Sequence, residues 1–314
     1  MKNSLFLKDL ISSDDISSEN LTVIFEKARE LISLVKQKGG DNRLQGRILA
    51  ALFFEPSTRT FSSFITAMQR LGGGIIPLNG MQNTSIEKGE SFEHTIRVFS
   101  SYADCLVVRH PQVGMPQIAA LVASVPVINA GDGIGEHPSQ AVYDCFTIVS
   151  RFIGKSRLTV SLIGDLKNGR TVHSLAKLLP KTGLKINFNF VSPEVLKMPP
   201  EITGYVKSKN CPVTETDDLL SVVGKSDVLY VTRVQKERFS DLGEYEKIKN
   251  YYVVNRKVLQ NSAKDTVIMH PLPIAAGEIS DDLDDYPGSL YLRQQLQNGL
   301  YIRMALLDLI LRDQ

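Results

Sequence analysis

A chain of 314 residues exceeds the size at which one hydrophobic core keeps growing, so two domains of roughly 150 residues each are expected. Its 43% hydrophobic and 22% charged content is that of an ordinary globular protein. Lys+Arg 36 against Asp+Glu 34 leaves a net charge of only +2, with no basic block of the kind that follows a nucleic-acid backbone. No nucleic-acid partner is expected, and any strong positive field must be local, made by a few arginines converging in the fold.

Cys105, Cys145 and Cys211 are widely spaced and odd in number, which suits reduced thiols better than a disulfide framework. No CxxC pair or His/Cys cluster has metal-ligand spacing, so no metal is expected. The N-terminal segment from Met1 meets charge at Lys8 and Asp9, too soon for a signal-peptide core, and no later stretch offers about 18 apolar residues. A cytoplasmic protein with no membrane partner follows as the expectation.

Leu21, Ile24, Phe25, Ala28, Leu31, Ile32 and Val35 fall at helical spacing, and the helix they predict stops before Gly39. The short apolar run from Ile48 to Phe54 reads as a strand buried on both faces. A turn at Pro56 leads into a helix over 60–71, ended by Gly72. Segments 90–102, 106–109, 115–123 and 125–130 then alternate as helix, strand, helix and strand, the α/β signature. A helix over 140–151 crosses the midpoint, so a domain boundary is expected near residue 138. Strands at 158–163, 186–191, 228–232 and 266–269 continue the alternation, and an apolar-rich helix over 300–311 closes the chain. The fold class expected is α/β, with two doubly wound domains. Each is a mainly parallel sheet flanked by helices, and interdomain helices link them.

Six strand-end loops carry polar chemistry. Ser57-Thr58-Arg59-Thr60 lies where a buried strand turns into a helix, whose free N–H groups and dipole suit an anion. The same four residues read equally well as a Ser/Thr N-cap beside a surface arginine. Arg109 ends an apolar strand, on the edge where open α/β sheets bind ligands. The glycine-rich loop from Asn129 delivers His137 and Gln140 at another such edge. Arg170 and Arg233 each lie just past a strand, and His270-Pro271-Leu272-Pro273 follows a third, its prolines fixing carbonyl directions. Alone, each is weak. In a doubly wound fold the six strand-end loops are expected to converge on one edge, and their conjunction is the strong signal.

Through F-x-x-S-T-R-T, V-R-H-P, H-P-S-Q, G-R-T-V-H-S, R-V-Q-K-E-R-F and H-P-L-P, in that order, the chain resembles the aspartate and ornithine carbamoyltransferases over nearly its whole length. The resemblance implies a carbamoyl phosphate-binding domain over 1–138, joined by a C-terminal helix over 297–314, and an aspartate-binding domain over 139–296. It implies that Ser57, Thr58, Arg59, Thr60 and Arg109 hold the phosphate. Arg59, Thr60 and His137 would donate to the carbonyl oxygen, and Gln140 with the carbonyls of Leu272 and Pro273 would orient the carbamoyl NH₂. Arg170, Arg233, Gln235 and Lys88 would bind the carboxylates of L-aspartate, with Arg59, Thr60, His137 and Lys88 as the catalytic set and no cofactor. Proline at 271, where the ornithine enzyme has cysteine, and the Arg233 segment favour aspartate as acceptor. An ornithine site would instead need an acidic partner for the side-chain amine.

The resemblance further implies a homotrimer in which a loop carrying Ser85 and Lys88 reaches the neighbour's site. That loop is one residue shorter than in some relatives, and the match of Lys88 rests on the K-G-E that it begins. Read without the resemblance, the same polar run is a solvated loop. Regulatory or dihydroorotase chains as further partners stay open. Departures from the family pattern are Phe61 and Ile65, where relatives often carry an arginine and a glutamate, and Ile274, where the family tends to have arginine.

Overall fold

The computed structural model describes residues 3–82, 84–234, 243, 245, 252–275 and 277–313. They form two compact units, residues 1–146 with 297–314 and residues 147–296.

In the first unit the apolar run Ile48–Phe53 forms strand β1, buried from its second residue onward because helices cover both faces. It pairs in parallel with β2 (Gly74–Asn79) on one side and β3 (Cys105–His110) on the other, and β3 pairs with β4 (Val127–Asp132). The sheet order is therefore β2-β1-β3-β4. Helices α1 (Ser18–Lys38), α2 (Thr58–Arg70), α3 (Phe92–Ser100) and α4 (Met115–Val122) complete the alternation. α1 ends as its spacing predicts, with Gly39 at φ 77 as a left-handed cap. Strand β2 has no counterpart in the sequence reading: it is an edge strand, only partly buried, and Pro77 interrupts its strand pattern.

The second unit holds a five-stranded parallel sheet in the order β7-β6-β5-β8-β9. Its strands are β5 (Arg157–Ile163), β6 (Lys185–Val191), β7 (Val213–Thr216), β8 (Val228–Val231) and β9 (Val267–Met269). β7, like β2, is an edge strand that the sequence reading did not predict, here because it is short and polar. Helices α5 (Pro138–Arg151), α6 (Arg170–Leu178), α7 (Pro200–Ser208), α8 (Leu220–Val223), α9 (Arg256–Leu259) and α10 (Gln294–Leu311) complete the chain.

The units divide inside α5, between Phe146 and Thr147. Phe146 belongs to the first, its ring 5.3 Å from Phe25 of α1. Most of α10 belongs there too. The carboxylate of Asp308, with no exposed side chain, pairs with Arg43 at 2.8 Å and Arg312 at 2.7 Å, with Lys27 at 3.7 Å. No described helix is long and apolar enough to cross a membrane.

Candidate active site

In the first unit the chain steps from β1 outward to β2, then returns to the other side of β1 for β3. The carboxyl ends of β1 and β3 thus flank a topological switch point, where doubly wound sheets open a crevice. Register places Phe53 opposite Arg109 and His110 opposite Asp132, so the loops after β1, β3 and β4 leave from one edge. Ser57, Thr58, Arg59 and Thr60 occupy the first of them, Arg109 the second, and His137 with Gln140 the third.

Ser57 is the N-cap of α2, in extended conformation, but its side chain accepts no bond from the helix. An ordinary Ser cap, one of the two readings of this motif, is therefore absent. The Ser57 N–H donates to Asn79 Oδ1 at 3.0 Å instead, which ties the turn to the end of β2. The first-turn N–H groups lack intrahelical acceptors and carry the positive end of the dipole, the arrangement that receives phosphate. Thr60 is buried, while Thr58 and Arg59 are exposed.

Arg109 keeps only 11% of its side chain exposed, with Nη2 3.3 Å from Glu55 Oε2 and Nη1 3.4 Å from the Ala130 carbonyl. Burial pulls its pKa below the usual value; Glu55 opposes this, and the nearby charges of Arg59 and Arg303 add to it. An arginine stays protonated regardless. The shift thus reports chiefly the burial of the guanidinium, with Glu55 as its nearest counter-charge among the described residues.

The third loop is folded around Asp132. That carboxylate accepts from Glu136 N–H at 2.7 Å and from Gly114 N–H at 2.9 Å. A Cβ on Gly135 would lie 2.8 Å from its oxygen, so glycine alone fits there. The chain then delivers His137, 3% exposed, whose carbonyl accepts from Gln140 and Ala141 N–H to start α5. Gln140, also buried, donates from Nε2 to Asp144 Oδ2 at 3.1 Å.

Ser85 and Lys88 bound an exposed 3-10 turn between β2 and α3, closed by Gly89 at φ 95. Within the single chain, no hydrogen bond or ion pair among the described residues joins Ser85 or Lys88 to the other candidates.

The second unit repeats the topology: β8 lies on the opposite side of β5 from β6, making a switch point between β5 and β8. Arg170 follows β5 as the first residue of α6, and Arg233 follows β8, with Ile163 opposite Val231 in the register. A cation at a helix start opposes the dipole, so the position is one that stability alone would not favour. The loops are held close. Thr232 donates from N and Oγ1 to the Ile163 carbonyl, at 2.8 and 3.0 Å, and a Cβ on Gly164 (φ +112) would lie 2.4 Å from Thr232 O. Leu272 and Pro273 follow β9, joined by a cis peptide bond, with Leu272 at φ 58. Leu272 N–H donates to His270 Nδ1 at 2.8 Å, which leaves the proton on Nε2 to meet Glu278 Oε1 at 3.1 Å. Gln235 lies outside the described residues. Among the described residues no group of three or more His, Cys, Asp or Glu side chains could hold a metal.

Sequence reasoning passed over Glu55, Asn79, Asp132 and Arg303. Asn79 ends the unpredicted strand β2, and Arg303 is a lone cation in an apolar helix, a visible signal. The departures are filled by packing: the Phe61 ring meets Phe53 edge-on at 5.2 Å, and Ile274 packs against the apolar core of the second unit.

Comparison with known proteins bears on both units. Residues 8–150 match the family described as aspartate/ornithine carbamoyltransferase, carbamoyl-P binding domain, and residues 156–310 its Asp/Orn binding domain. The chain is 45% identical over 304 residues to the aspartate carbamoyltransferase catalytic subunit of Thermococcus kodakarensis, covering 97% of each. It is also 45% identical over 308 residues to the multifunctional protein pyr1-3 of Dictyostelium discoideum, of whose length it spans 14% against 98% of its own. Among solved structures, aspartate transcarbamoylase from Trypanosoma cruzi in complex with carbamoyl phosphate and aspartate superposes with a TM-score of 0.93 at 38% identity. That match covers 99% of this chain and 98% of the other.

Proposed function

The chain belongs to the aspartate/ornithine carbamoyltransferase family, and we infer from that membership how its two sheet edges divide one reaction. It transfers the carbamoyl group of carbamoyl phosphate to the amine of L-aspartate, giving N-carbamoyl-L-aspartate and phosphate, in de novo pyrimidine biosynthesis. The observation that supports the site assignment is the start of α2, with Arg59 in its first turn, beside the mostly buried guanidinium of Arg109 at the end of the neighbouring strand. Such a cluster is suited to a multiply charged anion.

The phosphate sits at the start of α2, held by Ser57, Thr58, Arg59, Thr60 and Arg109. The aspartate amine attacks the carbonyl carbon; a C–N bond forms, the bond to the phosphate oxygen breaks, and the departing phosphate takes the amine proton. Arg59, Thr60 and His137 face the carbonyl oxygen as it gains charge. Removing one such donor commonly costs about 2.7–4 kcal/mol. Gln140 and the carbonyls of Leu272 and Pro273 hold the carbamoyl NH₂. Arg170, Arg233, Gln235 and Lys88 bind the two carboxylates, and a dicarboxylate is what a pair of strand-end arginines complements. Orientation of two reactants supplies a further ~7–11 kcal/mol, so no cofactor is required by the chemistry.

The exposed turn of Ser85 and Lys88 completes the site of a neighbouring copy in a homotrimer, and the protein works in the cytoplasm. Regulatory or dihydroorotase chains are proposed as further partners of the trimer. Phosphate release from carbamoyl phosphate with aspartate, ornithine or putrescine tests the acceptor: turnover with aspartate alone is expected, and turnover with ornithine alone would refute it. Mixing Lys88→Ala with Arg59→Ala protein tests sharing. Hybrid trimers regain part of the activity if the turn crosses between copies, and no recovery refutes the sharing.

A further inference from the structure

Behind the phosphate edge, the reaction as derived leaves one cation without a role. Arg303 is the lone base of the apolar stretch 302–311 in α10, and it is 4% exposed. No carboxylate lies within ion-pair distance of it among the described residues, and its Nε meets no acceptor. A buried guanidinium so thinly compensated is costly to desolvate, and packing alone would favour an apolar residue there.

Its contacts lead to the site. Nη1 donates to Ser63 Oγ at 2.6 Å, and Ser63 Oγ in turn donates to the carbonyls of Arg59 at 2.7 Å and Thr60 at 2.9 Å. The guanidinium stacks over the rings of Phe64 and Tyr143, at 5.1 and 5.3 Å. Tyr143 lies between Arg303 and Gln140, near enough for each to act on the other's electrostatics. Asp144, which balances part of the charge, is the acceptor of Gln140 Nε2.

We propose that Arg303 is a positioning residue of the carbamoyl phosphate site. Through Ser63 it holds the first turn of α2, through Tyr143 it holds Gln140, and its buried charge adds to the field that receives the phosphate. This rests on the reading that the start of α2 binds the phosphate of carbamoyl phosphate. In a low-dielectric interior a charge behind the site acts on the anion without touching it.

The test is calorimetric titration of the full-length protein with inorganic phosphate, for wild type, Arg303→Met, Arg303→Lys and Ser63→Ala, with the KM for aspartate measured at saturating carbamoyl phosphate. Wild-type protein that binds no phosphate would sink the site assignment itself. Given wild-type binding, Arg303→Met is expected to weaken it about tenfold, with Arg303→Lys regaining most of the loss and the KM for aspartate little changed. A shift below about threefold in Arg303→Met, or a lysine variant as weak as the methionine one, overturns the proposal. If Arg303→Met does not fold, Ser63→Ala decides, because it cuts the link to the first turn of α2. Phosphate binding about threefold weaker supports the proposal, and unchanged binding overturns it.

Discussion

The two units carry the same device on different footings. Each places an arginine after its central strand's crossover and another at the neighbouring switch-point strand: Arg59 and Arg109 around β1 and β3, Arg170 and Arg233 around β5 and β8. In the first unit the edge is braced from behind by buried polar side chains, Asp132, Gln140, Tyr143, Asp144 and Arg303, and from the side by Glu55 and Asn79. In the second, a close backbone approach of Gly164 to Thr232 joins buried side chains in setting the loops, with Leu272 tied to the His270 imidazole and His270 to Glu278. The difference teaches that the edge proposed here for phosphate brings its two arginines up to a buried cation, Arg303, within its own unit. The edge proposed for aspartate carries two half-buried arginines, Arg170 and Arg233, with no counterpart of that buried cation behind them among the described residues.

Several substitutions break or sharpen that contrast. Asp308→Ala leaves Arg43, Lys27 and Arg312 without their shared buried carboxylate, and about 3–5 kcal/mol of stability is expected to go with it. Denaturant unfolding measures it, and because α10 carries Arg303, phosphate binding should weaken in parallel. Arg59→Ala is expected to lower kcat at least about 100-fold through the lost donor, measured by steady-state kinetics at saturating substrates. Arg233→Ala removes one charged hydrogen-bond partner, worth about 1.5–3 kcal/mol. It should raise the KM for aspartate while leaving the Kd for inorganic phosphate unmoved, and an equal loss of both would erase the distinction between the edges.

The smallest effect concerns His110, packed between the rings of Phe54 and Phe92 beside Arg109. Burial holds its pKa below 6.5, against the charges of Glu55 and Asp132. The folded state therefore binds fewer protons than the unfolded one just below that value. Its contribution to stability is complete above pH 6.5 and erodes as pH falls toward the folded pKa. Thermal melts near pH 7.5 and about pH 5.5 should show a shallower acid decline in His110→Gln than in the wild type.

How much of this was legible in the sequence follows from where each signal resides. Central strands such as β1 and β5 are continuous apolar runs, and their positions and the loops after them could be read directly. Edge strands β2 and β7 hold Pro77 and alternating threonines, so no hydrophobic period marks them, and Asn79 was lost with the first. Arg109 and Arg170 announce themselves by following strands, whereas Glu55, Asp132 and Arg303 act through bonds formed only after folding. The motif at Ser57 was ambiguous by sequence, because whether the Ser57 hydroxyl caps the helix is settled only by folding, and here it makes no cap bond. Phe61 and Ile274 register only as departures until packing shows what each ring or side chain meets.

The central claim is that one edge binds phosphate and the other binds the dicarboxylate. The most direct test measures the Kd of inorganic phosphate and of N-(phosphonacetyl)-L-aspartate, which joins both chemistries in one molecule, for Arg109→Ala and Arg233→Ala. Arg109→Ala should lose affinity for both ligands, and Arg233→Ala for the second alone. Loss of phosphate binding in Arg233→Ala, or its retention in Arg109→Ala, would contradict the account.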